Sequence, residues 1–147
     1  MRAAIKVAQR GLREGEVPIG AVVVYEGKVI SRGYNRRAKL QLASAHAEMM
    51  AIDKACKKFG SWRLPEGCEL YVTLEPCPMC MGAILWANID KVYYGCNIVD
   101  TEEIGFRDKI FYEFTPEKKK EMVVELDREE CLKLYQVYKN LAGKTEY

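Results

Sequence analysis

Histidine occurs once in these 147 residues, so a site built from several imidazoles is excluded and any metal site needs other donors. No apolar stretch approaches the roughly 20 residues that a helix needs to cross a bilayer, which argues against membrane insertion. Nor does the N-terminal stretch resemble a signal peptide, because Arg2, Lys6, Arg10 and Arg13 interrupt it. The expected location is the cytoplasm. Charge of one sign is missing as well: 23 Lys and Arg stand against 21 Asp and Glu, a net charge of +2, with no acidic or basic tail. Such a balance gives thin support to a partner held by a broad basic surface. Repeats, linkers and low-complexity segments are absent, so residues 1–147 read as a single domain. Hydrophobic residues make up 49% of the chain, enough for one buried core in a domain of this size. The six cysteines lack a framework-like spacing. Cys56, Cys68, Cys96 and Cys131 are scattered through apolar or amphipathic stretches, as expected of free thiols in a reducing compartment.

The most informative stretch is Leu74-Glu75-Pro76-Cys77-Pro78-Met79-Cys80. Before it, Leu70 to Leu74 is rich in apolar and β-propense residues and reads as a buried strand. After it, Met79 to Ala87 reads as an apolar helix. Pro76 and Pro78 restrict the backbone between them and suit a helix start. Both sulfurs are therefore expected near a helix N-terminus, where the dipole and unpaired amides favour thiolate. Alone, Cys-x-x-Cys fits half a structural zinc site, a redox dithiol or two core cysteines. The other half of the argument is His46-Ala47-Glu48, where a second, amphipathic helix begins (Ala45 to Phe59). His46, Cys77 and Cys80 make three protein ligands for one Zn2+ per chain and leave a fourth tetrahedral position for water. That is the pattern of a catalytic site rather than a structural one.

Elsewhere, Ala3 to Glu14 is expected as an amphipathic helix with Ala4, Ile5, Ala8 and Leu12 on one face, covering a sheet. Ile19 to Tyr25 and Lys28 to Ser31 read as strands joined by a tight Glu26-Gly27 hairpin turn. Lys91 to Gly95 is expected as a fourth strand and Glu121 to Leu126 as a fifth. Asp127 and Glu130 have the spacing of a capping box for a last helix reaching Asn140, with Cys131, Leu134, Tyr135, Tyr138 and Leu141 along one face. Strands alternating with covering helices point to an α/β fold with partly parallel pairing. Arg36, Arg37 and Lys39 form a short basic cluster, either a solvated loop or a phosphate contact.

His-x-Glu followed by Pro-Cys-x-x-Cys is the signature of zinc deaminases acting on nucleobases. The chain resembles the cytidine-deaminase-like superfamily, which implies a three-layer α/β fold with a mixed sheet of about five strands covered by helices. The resemblance implies an aminohydrolase in which zinc activates a water and Glu48 shuttles a proton from that water to the leaving amine. A non-catalytic zinc-binding module, the rival from another class, would need a fourth protein ligand and no Glu48. The resemblance also gives Asn35 a substrate contact, although a turn role is the plainer reading of Gly33-Tyr34-Asn35. The amides of Ala47 and Cys77, at helix starts, are placed to hydrogen-bond a base.

Two subfamilies compete for the substrate. Val17-Pro18-Ile19-Gly20-Ala21 and Leu74-Glu75-Pro76-Cys77 resemble bacterial tRNA adenosine deaminases. Gly105-Phe106-Arg107-Asp108, Trp86 and the last residues, Lys144-Thr145-Glu146-Tyr147, resemble bacterial guanine deaminases. In guanine deaminases the C-terminal segment closes over a free base, in some cases by crossing to the partner subunit. The expectation is thus a free-guanine deaminase contacted by Asn35, Ala47, Trp86, Asp108 and Tyr147. The alternatives are A-to-I deamination in a tRNA anticodon loop, with tRNA as partner only in that case, and cytosine deamination. Ile19 departs from the Phe usual in guanine deaminases, and Leu42-Ala43-Ser44-Ala45 replaces their usual Asp-Pro-Thr-Ala. A homodimer is expected from the resemblance and from Met81, Ile84, Leu85 and Trp86 on one apolar helix.

Overall fold

The chain reverses at Glu26-Gly27, where both residues take positive φ, 48° and 72°. A two-residue turn of this kind matches the twist of the strands it joins. It connects β1 (Gly20–Tyr25) to β2 (Lys28–Tyr34) as an antiparallel hairpin. β1 also pairs antiparallel with β3 (Glu69–Leu74), and β3 pairs in parallel with β4 (Lys91–Cys96). The result is a mixed, four-stranded sheet in the order β2-β1-β3-β4. This computed structural model describes residues 1–102 and 104–143. They form two compact units, Met1–Phe111 and a second beginning at Tyr112. No break in composition marks that boundary in the sequence.

In the first unit, α1 (Arg2–Arg13) covers one face of the sheet and α3 (Ala47–Phe59) with α4 (Pro78–Trp86) covers the other. This is the three-layer α/β arrangement expected. Strand alternation divides the two cores: Val22 and Tyr34 join Ala4 and Val7 of α1, whereas Ala21, Val23, Leu70 and Val72 join α3 and Ile84. α1 buries Ala4, Val7, Ala8 and Gly11, while Ile5 and Leu12, expected on the buried face, are exposed. Gly11 explains the rotation, because the Tyr34 ring lies where a larger side chain would point. A short α2 (Arg37–Leu40) and α5 (Ile98–Glu102) complete the helices of this unit, with a 3-10 turn at Asp108–Phe111.

α3 sits close to β2 because both surfaces are small. Ala47, Ala51 and Ala55 form a ridge at four-residue spacing and are fully buried. A side chain at Gly33 would run into the Ala47 carbonyl oxygen and the Ala51 amide. The Ser31 hydroxyl donates to the Ala51 carbonyl at 2.6 Å. These contacts fix the height of α3 over the sheet, and so the position of its first turn.

In the second unit, α6 (Pro116–Met122) starts at Thr115, whose hydroxyl accepts from the Lys118 amide at 3.3 Å, and α7 spans Arg128–Lys139. The fifth strand does not form among the described residues. α6 takes Glu121 and Met122, and 123–126 has no ladder partner. The capping box is absent too. Asp127 precedes α7 with left-handed dihedrals (φ 52°) rather than the extended ones a side-chain cap requires, and Glu130 pairs with Lys133 instead. No residue of α7 is buried within the chain. Among the described residues no helix is long and apolar enough to cross a membrane.

Candidate metal centre and catalytic pocket

Two helices begin at the candidate ligands. His46 is the residue before α3 and Cys77 the residue before α4, both with extended dihedrals, and Pro78 opens α4. Cys80 follows within the first turn. His46 Nδ1 lies 3.8 Å from Cys77 Sγ and 3.7 Å from Cys80 Sγ. Donors held about 2.0–2.3 Å from one tetrahedral zinc would stand about 3.6 Å apart, so the spacing fits. The three ligand atoms lie within 4.8 Å of one another, and among the described residues no fourth His, Cys, Asp or Glu joins them. His46, Cys77 and Cys80 are thus positioned to hold a metal ion with one position left open. The donor set, one imidazole and two sulfurs, suits zinc.

The ligands are electrostatically coupled. Cys77 is pulled down to about 4, first by the Cys80 thiol that donates to it and then by His46. Cys80 is pushed up by Cys77 and by burial. His46 is raised by Cys77 against its own desolvation. Glu48, in the first turn of α3, is buried beside Cys80, and desolvation pushes its carboxyl up to about 7. It borders the donor cluster without belonging to it.

These residues open on a cleft of about 380 Å³. Asn35, His46, Glu48 and Cys77 line it, and so does Asp108 from the 3-10 turn that follows α5, with Ile19, Phe106 and Arg107 alongside. Ala47 is fully buried between His46 and Glu48. Trp86 stands elsewhere, at the outer end of α4, edge-on to Trp62 with ring centroids 6.2 Å apart. Tyr147 lies outside the described residues. Glu75 supports a loop, its carboxylate accepting from the Ile98 amide at 3.4 Å.

One residue of the site carries no motif. Glu16 is buried, and its carboxylate accepts from Asn35 Nδ2 at 2.9 Å and from the backbone amides of Ala38 and Lys39 at 3.4 and 2.7 Å. It thereby caps α2 and fixes the Asn35 amide so that Oδ1 is the atom left for the cleft. The Arg36-Arg37-Lys39 cluster divides among separate tasks: Arg36 stacks on the Tyr34 ring, Arg37 lines the cleft and Lys39 pairs with Glu14.

Comparison with known proteins agrees with this geometry. Residues 1–96 match the family described as the cytidine and deoxycytidylate deaminase zinc-binding region. The chain is 55% identical over 95 residues to the tRNA-specific adenosine deaminase of Bacillus subtilis, a match spanning 65% of this chain and 58% of that relative. It is 37% identical over 151 residues to the guanine deaminase of Bacillus subtilis, covering 100% of this chain and 96% of the relative. The crystal structure of the Bacillus subtilis guanine deaminase superposes with a TM-score of 0.91 at 38% identity, over 99% of this chain and 95% of that one. A buried glutamate beside one imidazole and two cysteine sulfurs, in the fold these relatives share, places the chain in the cytidine and deoxycytidylate deaminase family of zinc-dependent aminohydrolases.

Proposed function

We propose that the chain, acting over 1–147 as one cytoplasmic deaminase domain, hydrolyses free guanine to xanthine and ammonia. The observation that carries this reading is Asp108 on the wall of the cleft that holds His46, Glu48 and Cys77. Guanine presents two adjacent N–H donors, at N1 and at its 2-amino group, and a carboxylate accepts both. Adenine has no such pair. Cleft size supports a small ligand, since about 380 Å³ is near the low end of the roughly 300–1,000 Å³ typical of small-molecule sites. The likeness to the guanine deaminase runs the whole chain and so includes Asp108, whereas the family match ends at residue 96.

Zinc bound by His46, Cys77 and Cys80 would supply an activated water. Glu48 takes the proton that water gives up and delivers it to the leaving amine, which departs as ammonia. Asn35, held by Glu16, accepts a base N–H through Oδ1, and the Ala47 amide donates to the base. Ile19 and Phe106 flank the ring. Tyr147 and Trp86 are proposed further contacts, Trp86 standing against Trp62 outside the lining of the cleft. A second copy of the chain is the proposed partner, through Met81, Leu85 and Trp86, which are exposed on α4. Ile84 is buried instead and serves the core.

A second reading, adenosine deamination in tRNA, is favoured by the 55% identity to the tRNA-specific enzyme. Substituting Asp108→Ala separates the two. Each charge-assisted hydrogen bond contributes about 1.5–3 kcal/mol, so kcat/KM for guanine should fall about a hundredfold or more with zinc content unchanged. Full guanine turnover in this variant would contradict the assignment.

A further inference from the structure

A second cleft, of about 710 Å³, lies along α1, larger than the zinc cleft. Its walls carry Arg2, Lys6, Arg10 and Arg13 from α1, Arg32 from β2 and Lys54 from α3. At about 100° per residue the four α1 cations fall within a sector of about 80°, and they extend about 16 Å along the helix. Arg2, Lys6, Arg13, Arg32 and Lys54 form no ion pair among the described residues. Glu14 is the acid that meets this row, and Arg10 and Lys39 already share it at 3.0 Å each. Arg10 and Arg36 both stack on the Tyr34 ring, 5.5 and 5.9 Å from its centroid, and the buried Arg36 Nε has no hydrogen-bond partner among the described residues. Lys54 Nζ donates to the Arg32 carbonyl at 2.9 Å, and its ammonium is held low, first by burial and then by the neighbouring charges of Arg36 and Arg10.

This arrangement works against the helix that carries it. Like charges four residues apart repel, and α1 has no acid in its first turn to offset Arg2 against the helix dipole. With a net charge of only +2 for the chain, the concentration of cations here is local. A bound polyanion would relieve both penalties.

We infer that this groove binds a chain of phosphate groups. One compact phosphate is best met by donors converging on a point. Cations stepped about 6 Å apart over three turns instead match successive phosphates along a strand. An RNA strand and inorganic polyphosphate share that chemistry. Tyr34 lines the groove, and the next residue, Asn35, lines the zinc cleft. The inference does not depend on which base is deaminated.

Fluorescence anisotropy of a short labelled oligouridylate with the zinc-loaded full chain tests it. Binding should weaken with salt, with a log–log slope of about −4 for six neutralised phosphates. The combined variant Lys6→Glu, Arg13→Glu, Arg32→Glu should bind about tenfold weaker or worse and flatten the slope by about 2. The same charge change at Lys118→Glu, Lys119→Glu, Lys120→Glu on α6 should cost less than about threefold. Zinc content and ammonia release from guanine report whether each variant is folded. If the parent fails on guanine, the substrate reading fails and the groove does not. Should the triple variant not fold, Arg13→Gln alone should flatten the slope by about 0.7. Displacement by long-chain polyphosphate makes any phosphate chain the ligand, and no displacement makes the source RNA. Orthophosphate competing equally well per phosphate, equal losses in both triple variants, or no binding at low salt would each overturn the inference.

Discussion

Glu48 and Glu16 are both buried carboxylates in or beside the zinc cleft, yet they have different partners and separable tasks. Glu48 forms no ion pair with Lys or Arg among the described residues and lies against Cys80 and near His46, so its assigned role is proton transfer. Glu16 is satisfied by three N–H donors, one of them the Asn35 amide that lines the pocket. Both Glu48→Gln and Glu16→Gln should retain zinc by elemental analysis. Steady-state kinetics should then show a kcat loss of about 10²–10⁴-fold with little change in KM for the first, the usual scale of general acid–base catalysis. For the second, KM should rise with a smaller change in kcat, because a carboxamide oxygen accepts less strongly and frees the Asn35 amide to turn. Identical kinetics in the two variants would contradict the division. Glu48 was legible in the sequence because it completes the His-x-Glu motif on which the family resemblance rests. Glu16 was not, since an acid ahead of Val-Pro looks like any solvated charge until packing buries it.

At the scale of elements, the metal site depends on where two helices start, and the start of α3 depends on its seat over β2. Gly33→Ala would push a methyl group into the α3 backbone. Overpacking of this kind costs about 1–3 kcal/mol, so denaturant unfolding should show a loss of that size. Zinc affinity should fall with it, because His46 moves with the first turn. Unchanged stability and zinc affinity would mean that α3 is not seated by this contact. The sequence located α3, α4 and the hairpin well, since turn residues, Pro and small-residue spacing act locally. It misjudged the run from Glu121 to Leu126, because Val123 and Val124 have strand propensity but a strand also needs a neighbour. It likewise assigned Ile5 and Leu12 to the buried face of α1, where Gly11 and the Tyr34 ring decide the orientation instead.

For the whole molecule, apolar surface is left uncovered by the chain itself. Leu85 in the first unit is 72% exposed, and Val124 and Leu134 in the second are 79% and 70% exposed, and exposed apolar side chains of this size are candidates for an interface. Sedimentation at micromolar concentration should therefore give a mass twice that of the 16.8 kDa chain, and Leu85→Asp should shift it towards the monomer. A monomer in the parent protein would contradict the proposed partner. The substrate is a property of the whole molecule too, because its assignment depends on Asp108, beyond the region the family shares. The most direct test is ammonia release by the zinc-loaded protein, measured side by side on free guanine, adenine, cytosine and a tRNA anticodon stem-loop containing adenosine. The account predicts rapid release from guanine and a kcat/KM at least about a hundredfold lower for each of the others, as expected when a paired carboxylate contact is lost. Preferential release from the stem-loop, with free guanine inert, would contradict it.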